Sequence, residues 1–218
     1  MTTNPLRFTK EEAARLAHDN SQLRAELQAV RQSLRALTTL YFASQHITPE
    51  VDVLQLLGEI LDTALAVLKA TDGSLALTDE ETGDLVFTVV RGSAADRLRG
   101  YRLAAGTGII GWVAQHREPQ NVRDVRLDPR FYPRVDEAFG FNTRSMVSVP
   151  VNLDDGRVLG VVSVLNKGSD REFTQDDLDL VLVVATLAAT AMRRAERALE
   201  AAERDRRRAA LLTQPKQP

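Results

Sequence analysis

Cysteine is absent from all 218 residues. That excludes disulfides, thiolate metal sites, cysteine nucleophiles and thioether attachment of a chromophore. A surplus of either charge is also missing. The formal net charge is −2, which removes the electrostatic drive of a general nucleic-acid binder. No apolar run is long enough to cross a bilayer, because Arg, Asp or Glu interrupts every one. The first residues, MTTNPLRFTKEEAARL, lack the basic-then-apolar order of a secretory signal. Histidine is scarce, and His18, His46 and His116 do not fall at metal-ligand spacing. A haem or zinc site would have to assemble in space. No serine has a nucleophile-elbow setting. These absences describe a soluble cytoplasmic protein with no membrane or nucleic-acid partner and no cofactor that the sequence requires.

What is present begins with a seam. Thr9-Lys-Glu-Glu12 has the form of a capping box. Beyond it, Leu16, Asn20, Leu23, Leu27, Val30, Leu34, Leu37 and Tyr41 recur at alternating steps of four and three, the spacing of a heptad repeat. Asn20 falls at an a position. A buried amide there is satisfied by its own copy across a two-stranded parallel interface. The expectation is a homodimer through parallel helices whose register Asn20 sets. The alternative is an amphipathic helix packed on its own domain. A helix from Thr9 to about His46 would be roughly 57 Å long.

Thr48 and Pro49 read as the cap and first turn of a second helix. "SLALTDEETGDLVFTVVR" then reads as two strands around Gly83, and "RSMVSVPV" with "RVLGVVSVLN" as two more around Asp154-Asp155-Gly156. Strand pairs with tight turns and flanking helices predict an α+β sandwich rather than a doubly wound parallel sheet. Thr174-Gln-Asp-Asp177 is a second capping box. It opens a helix whose apolar residues continue at near-heptad spacing, with fraying expected near Arg206. The expected division is an N-terminal coiled-coil helix at 1–47, a core at 48–173, a C-terminal signalling helix at 174–212 and a disordered tail at 213–218.

"GTGIIG", from Gly106 to Gly111, has the letters of a dinucleotide motif. It lacks the buried strand before it and the full helix after it that such a site needs. The segment "NVRDVRLDPRFYPRVDEAFGFNTRSM" is more informative, carrying Arg123, Arg126, Arg130 and Arg134 among acids and aromatic rings. A polar insertion beside a buried sheet is where ligand-binding groups tend to sit. Phe131, Tyr132 and Phe141 could stack on a planar ligand. Equally, Phe131 and Phe141 could anchor the insertion to the core while Asp124 and Asp128 cap its short helices.

In order and at family spacing, "GTGIIGWVAQHREPQNVRDVRLDPRF", "GFNTRSMVSVPV", "GRVLGVVSVLNK" and "FTQDDLDLV" resemble the GAF domain over about residues 48–190. The form with Asn-Lys and a downstream Phe and Asp is similar to the GAF domains of cyclic-nucleotide phosphodiesterases and cyclases. The resemblance implies a regulatory α+β sandwich with a central antiparallel sheet of about six strands. Helices would cover one face and a small-molecule pocket would lie under loops on the other. Ser74, Arg91, Ile109, Ile110, Trp112, Asp124, Phe131, Phe141 and Thr143 are its candidate ligand-binding residues. Asn166, Lys167, Phe173 and Asp177 match the branch's signature, with Leu178 where that signature has Glu. They read as a structural clasp between the last strand and the output helix: Lys167 pairs with Asp177 while Phe173 plugs the base of the sheet.

The expected function is a non-enzymatic sensor that binds a small molecule, with a cyclic nucleotide as one candidate, and signals through a dimeric helical bundle to a downstream signalling protein. A ligand-free dimerisation or adaptor module is the alternative. Free-standing GAF proteins that reduce oxidised methionine use cysteines, which this chain lacks. No output domain is recognisable after residue 212, so the chain either acts through a partner or is part of a longer protein.

Overall fold

The computed structural model describes residues 12–24, 28, 38, 41, 52–168 and 172–212. Residues 12–24 form helix α1, and every one of them is exposed. Of the seam, Leu16 (62% exposed), Leu23 (64%) and Tyr41 present apolar surface. Leu27, Val30, Leu34 and Leu37 lie outside the described residues, as do Thr9 and His46.

Helix α2 spans Val53–Leu68. Its cap is Asp52, whose carboxylate accepts from the Leu54 and Gln55 amides at 3.0 and 3.1 Å. The cap read from sequence, Thr48, lies outside the described residues. The helix ends where Lys69 adopts left-handed φ of 53°.

Six strands then form one antiparallel sheet in the order β3-β2-β1-β6-β5-β4. They are β1 (Ala70–Thr78), β2 (Leu85–Arg91), β3 (Arg102–Leu103), β4 (Gln120–Val122), β5 (Met146–Asn152) and β6 (Val158–Lys167). Four were legible as alternating or apolar runs. The edge strands β3 and β4 were not, being only two and three residues long, too short for a period of two to show. Between strands lie α3 (Ala95–Leu98), α4 (Gly108–His116), the 3₁₀ turn Val125–Leu127 and α5 (Arg134–Phe139).

Helix α6 runs from Gln175 to Leu212 without the fraying expected at Arg206. Its capping box forms as read: the Thr174 amide donates to Asp177 Oδ2 at 2.6 Å, and the Asp177 amide to Thr174 Oγ1 at 3.3 Å. Helices α2 and α6 cover one sheet face. Leu75, Val147, Val149, Val151, Val162 and Val164 project toward them. The strand residues in between, including Ala76, Phe87, Met146 and Val161, point the other way, toward α3, α4, α5 and the insertion. Both faces are thus covered, which explains the near-continuous apolar strands.

Candidate functional site

The site lies on the face away from α2 and α6. Period-two alternation along β1 turns Asp72, Ser74 and Ala76 to that side, and on β6 it turns Val161, Ser163 and Leu165. α4 and the 131–143 segment roof the space above them. The result is a cavity of about 100 Å³ that opens to solvent. Its lining is predominantly apolar, with Phe87, Leu98, Leu103, Val135 and Phe139 among the walls.

Seven of the nine candidate residues line this cavity: Ser74, Arg91, Ile109, Ile110, Phe131, Phe141 and Thr143. Ser74 is 4% exposed, and in register it faces Ser163, which faces Ser148. The Ser148 and Ser163 hydroxyls lie 2.8 Å apart. Three hydroxyls therefore cross adjacent strands of a floor that is apolar apart from them and Asp72.

Arg91, the seventh, stands at the cavity edge but sends its guanidinium elsewhere. Its Nε donates to Asp62 of α2 at 2.7 Å. A notch in α2 admits it: a Cβ on Gly58 would sit 2.2 Å from Arg91 Nη2. Trp112 lies outside the wall, stacked on His116 with centroids 4.2 Å apart and capped by the Arg130 guanidinium at 4.5 Å. Asp124 is also outside. It caps the 3₁₀ turn by accepting from the Arg126 amide at 3.1 Å and holds the Arg126 guanidinium through two 2.8 Å bonds. That guanidinium keeps its carboxyl below the usual range. The capping role read as the alternative for Asp124 is the one it has here.

Several wall residues went unnamed in the sequence reading. Asp72, 6% exposed, accepts from the Ser93 amide at 3.0 Å and from the Thr71 hydroxyl. The Gly92 backbone lies close against it at φ of 102°, where a Cβ would fall 2.0 Å from Asp72 Oδ1. Asp136 on α5 accepts from both the amide and the hydroxyl of Thr143, at 2.6 and 2.8 Å. Asp72 could have been found by alternation, two residues before Ser74. Asp136 could not, because its partner is set by how α5 folds back. No side chain caps α4, so its first-turn amides stand beside the wall at Gly108, Ile109 and Ile110.

The clasp residues do gather. Lys167 forms an ion pair with Asp177, and both side chains are largely buried. Its ammonium also lies 5.7 Å from the centroid of the buried Phe173 ring. Asn166 is buried at left-handed φ of 54°. Its Oδ1 accepts from the Arg144 amide at 2.8 Å, and its Nδ2 donates to the Asn142 carbonyl at 3.0 Å. The amide side chain thus brackets Thr143 in the cavity wall, while its neighbour Lys167 holds the start of α6. His116, a haem candidate, points its Nδ1 to the Trp112 carbonyl at 3.0 Å, outside the cavity. Among the described residues no cluster of His, Asp and Glu is arranged to hold a metal, and no helix is long and apolar enough to cross a membrane.

A family model described as the GAF domain matches residues 52–192. The chain is 30% identical over 141 residues to a dual 3',5'-cyclic-AMP and -GMP phosphodiesterase 11 of Drosophila melanogaster, covering 59% of this chain and 10% of that protein. It is 42% identical over 73 residues to the dual 3',5'-cyclic-AMP and -GMP phosphodiesterase 11A of Takifugu rubripes, covering 33% of this chain and 8% of that one. The matched stretch spans a tenth or less of these relatives. Among solved structures, the GAF domain from a phosphoenolpyruvate-protein phosphotransferase of Coxiella burnetii aligns with a TM-score of 0.65 at 22% identity, covering 75% of this chain and 94% of that one. That likeness is one of fold.

Proposed function

The chain belongs to the GAF domain family through residues 52–192, and on that premise we propose that it is a non-enzymatic sensor whose cavity binds a small molecule. The observation that carries this reading is the partly roofed cavity between the sheet and the 131–143 segment, with Ser74 and Asp136 set among apolar walls. A cavity of this kind supports binding of a flat apolar body with its polar edge placed by a few fixed groups. In this reading the protein acts in the cytoplasm as a homodimer through parallel helices. Leu16 and Leu23 on α1 and Leu182 and Val183 on α6 supply exposed apolar surface for a second copy. Asn20 sets the register, and the helices pass the state of the core to a downstream signalling protein.

A ligand acts on the helices only by preferring one state of the elements it touches. The route available runs from Thr143 through Asn166 to the Lys167–Asp177 pair at the start of α6. Native mass spectrometry of the purified protein tests the reading, reporting subunit number and any retained small molecule together. Calorimetric titration with cyclic AMP and cyclic GMP, the nucleotides in the relatives' names, complements it. A dimer that retains or takes up a small molecule is expected, and a monomer with an empty cavity that no compound fills overturns it. A ligand-free adaptor is the second reading, favoured by the way Phe131 and Phe141 themselves occupy the wall.

A further inference from the structure

We propose that the cavity selects a planar ligand bearing a cationic N–H donor group, such as an amidinium or a protonated aminoheterocycle, and disfavours one carrying a negative charge. The inference rests on the reading of the cavity as a ligand site. It starts from two carboxylates in the wall, Asp72 and Asp136. The partners of both are neutral donors: the Ser93 amide and Thr71 hydroxyl for Asp72, and the Thr143 amide and hydroxyl for Asp136. Among the described residues no ion pair joins a guanidinium or ammonium to either carboxylate.

Of the cations nearby, two are paired with other carboxylates and two stand at the rim. Arg91 is turned to Asp62, Arg130 is held by Asp128 at 2.6 Å and lies over Trp112, and Arg134 is exposed above the Tyr132 ring. Arg97 lies against Gly140 at the rim. The first-turn amides of α4 offer about half a positive charge, against two full negative ones. In a space walled by apolar side chains such charges are weakly screened, so the net field favours a cation.

Ser74 supplies an independent sign that a ligand completes the site. Its side chain is 4% exposed, faces the cavity, and has no hydrogen-bond partner among the described residues. Its oxygen is open to the cavity, where a ligand atom can reach it. Ser74 lies two residues from Asp72 on the same face of β1, so an N–H fork meeting the Asp72 carboxylate would bring a further polar atom to its hydroxyl.

The test uses three one-ring probes of nearly equal size and different charge: benzamidine, benzamide and benzoate. Each is titrated into the full chain while backbone amide resonances are followed by NMR. Benzamidine is expected to shift the amides of Asp72, Ser74 and Thr143 with a dissociation constant about tenfold or more below that of benzoate, with benzamide between them. Asp72→Asn and Asp136→Asn, each checked for retained resonance dispersion, should shrink that ratio by weakening benzamidine more than benzamide. Benzoate binding at these amides as tightly as benzamidine would overturn the charge preference and leave the cavity as a ligand site. If none of the three moves these amides, both the preference and the reading it rests on fall.

Discussion

The two faces of one sheet are covered by different means. On the α2 and α6 side, Ile60, Leu61, Val147, Val149, Val151, Val164 and Val181 are all at most 2% exposed. On the other side, α3, α4, α5 and the 3₁₀ turn cover the strands, and a cavity remains. Long helices present continuous apolar stripes that interdigitate with strand side chains. Short elements cannot do so, because each turn diverts backbone polar groups that need their own partners. Asp124, Asp128 and Asp136 spend their carboxylates on such turns. A dense face stabilises, while a loosely roofed face can admit a guest.

The largest test of that contrast is truncation. Leu61→Ala on the dense face should cost about 2–5 kcal/mol, because little can collapse into the space it leaves. Val135→Ala on the roof should cost under about 1.5 kcal/mol, since its wall already borders a void. Urea unfolding of the two variants measures both, and equal losses would break the comparison.

Next comes the junction between the faces. Asn166→Ala removes two side-chain hydrogen bonds and puts Ala, which tolerates the left-handed region less well than Asn, at φ of 54°. A loss of about 2–4 kcal/mol is expected from the two effects together. Asn166→Gly, which relieves the backbone but not the bonds, should lose less, and the difference measures the conformational part.

At the clasp, Asp177→Ala removes both the ion pair and the cap on Thr174, so it should cost about 1–3 kcal/mol more than a surface substitution. Lys167→Met, which spares the cap, should cost less than Asp177→Ala. The same unfolding series orders them, and the reverse order would mean that the cap contributes nothing.

The smallest effect is electrostatic and lies between the β1–β2 turn and β3. Arg102 donates to Asp79 at 2.7 Å and holds its carboxyl down at about 2. A carboxylate with a depressed folded value lends stability above its unfolded value, near 3.9. That contribution fades as pH falls through about 2. An NMR titration of the Asp79 carboxyl carbon should show the low midpoint, and Asp79→Asn should flatten the acid limb of stability between those values. An ordinary midpoint would remove Arg102 from the account.

Legibility in the sequence followed the range of the interactions. The Thr174 capping box and the β5–β6 hairpin are written within a few residues, and both formed as read. The ligand-site residues are a mixed case. Ile109 and Ile110 line the cavity, but Trp112, two positions on, turns outward to His116 because a helix carries successive side chains around its circumference. Arg91 looked like a ligand group until Gly58 and Asp62, some thirty residues earlier, were seen to receive it. Asp136 became a wall residue only through Thr143.

By itself, the order of residues determined what short-range rules encode: helix starts, hairpins, the alternation that gives each strand two apolar faces, and the absence of any thiol chemistry. Only the tertiary structure decided which face kept a cavity, which arginines were drawn away from it, and that two carboxylates and an unpaired hydroxyl remained in its wall. The physical reason is that periodicity fixes a side chain's direction relative to its own backbone. What it meets there depends on elements brought together from far along the chain.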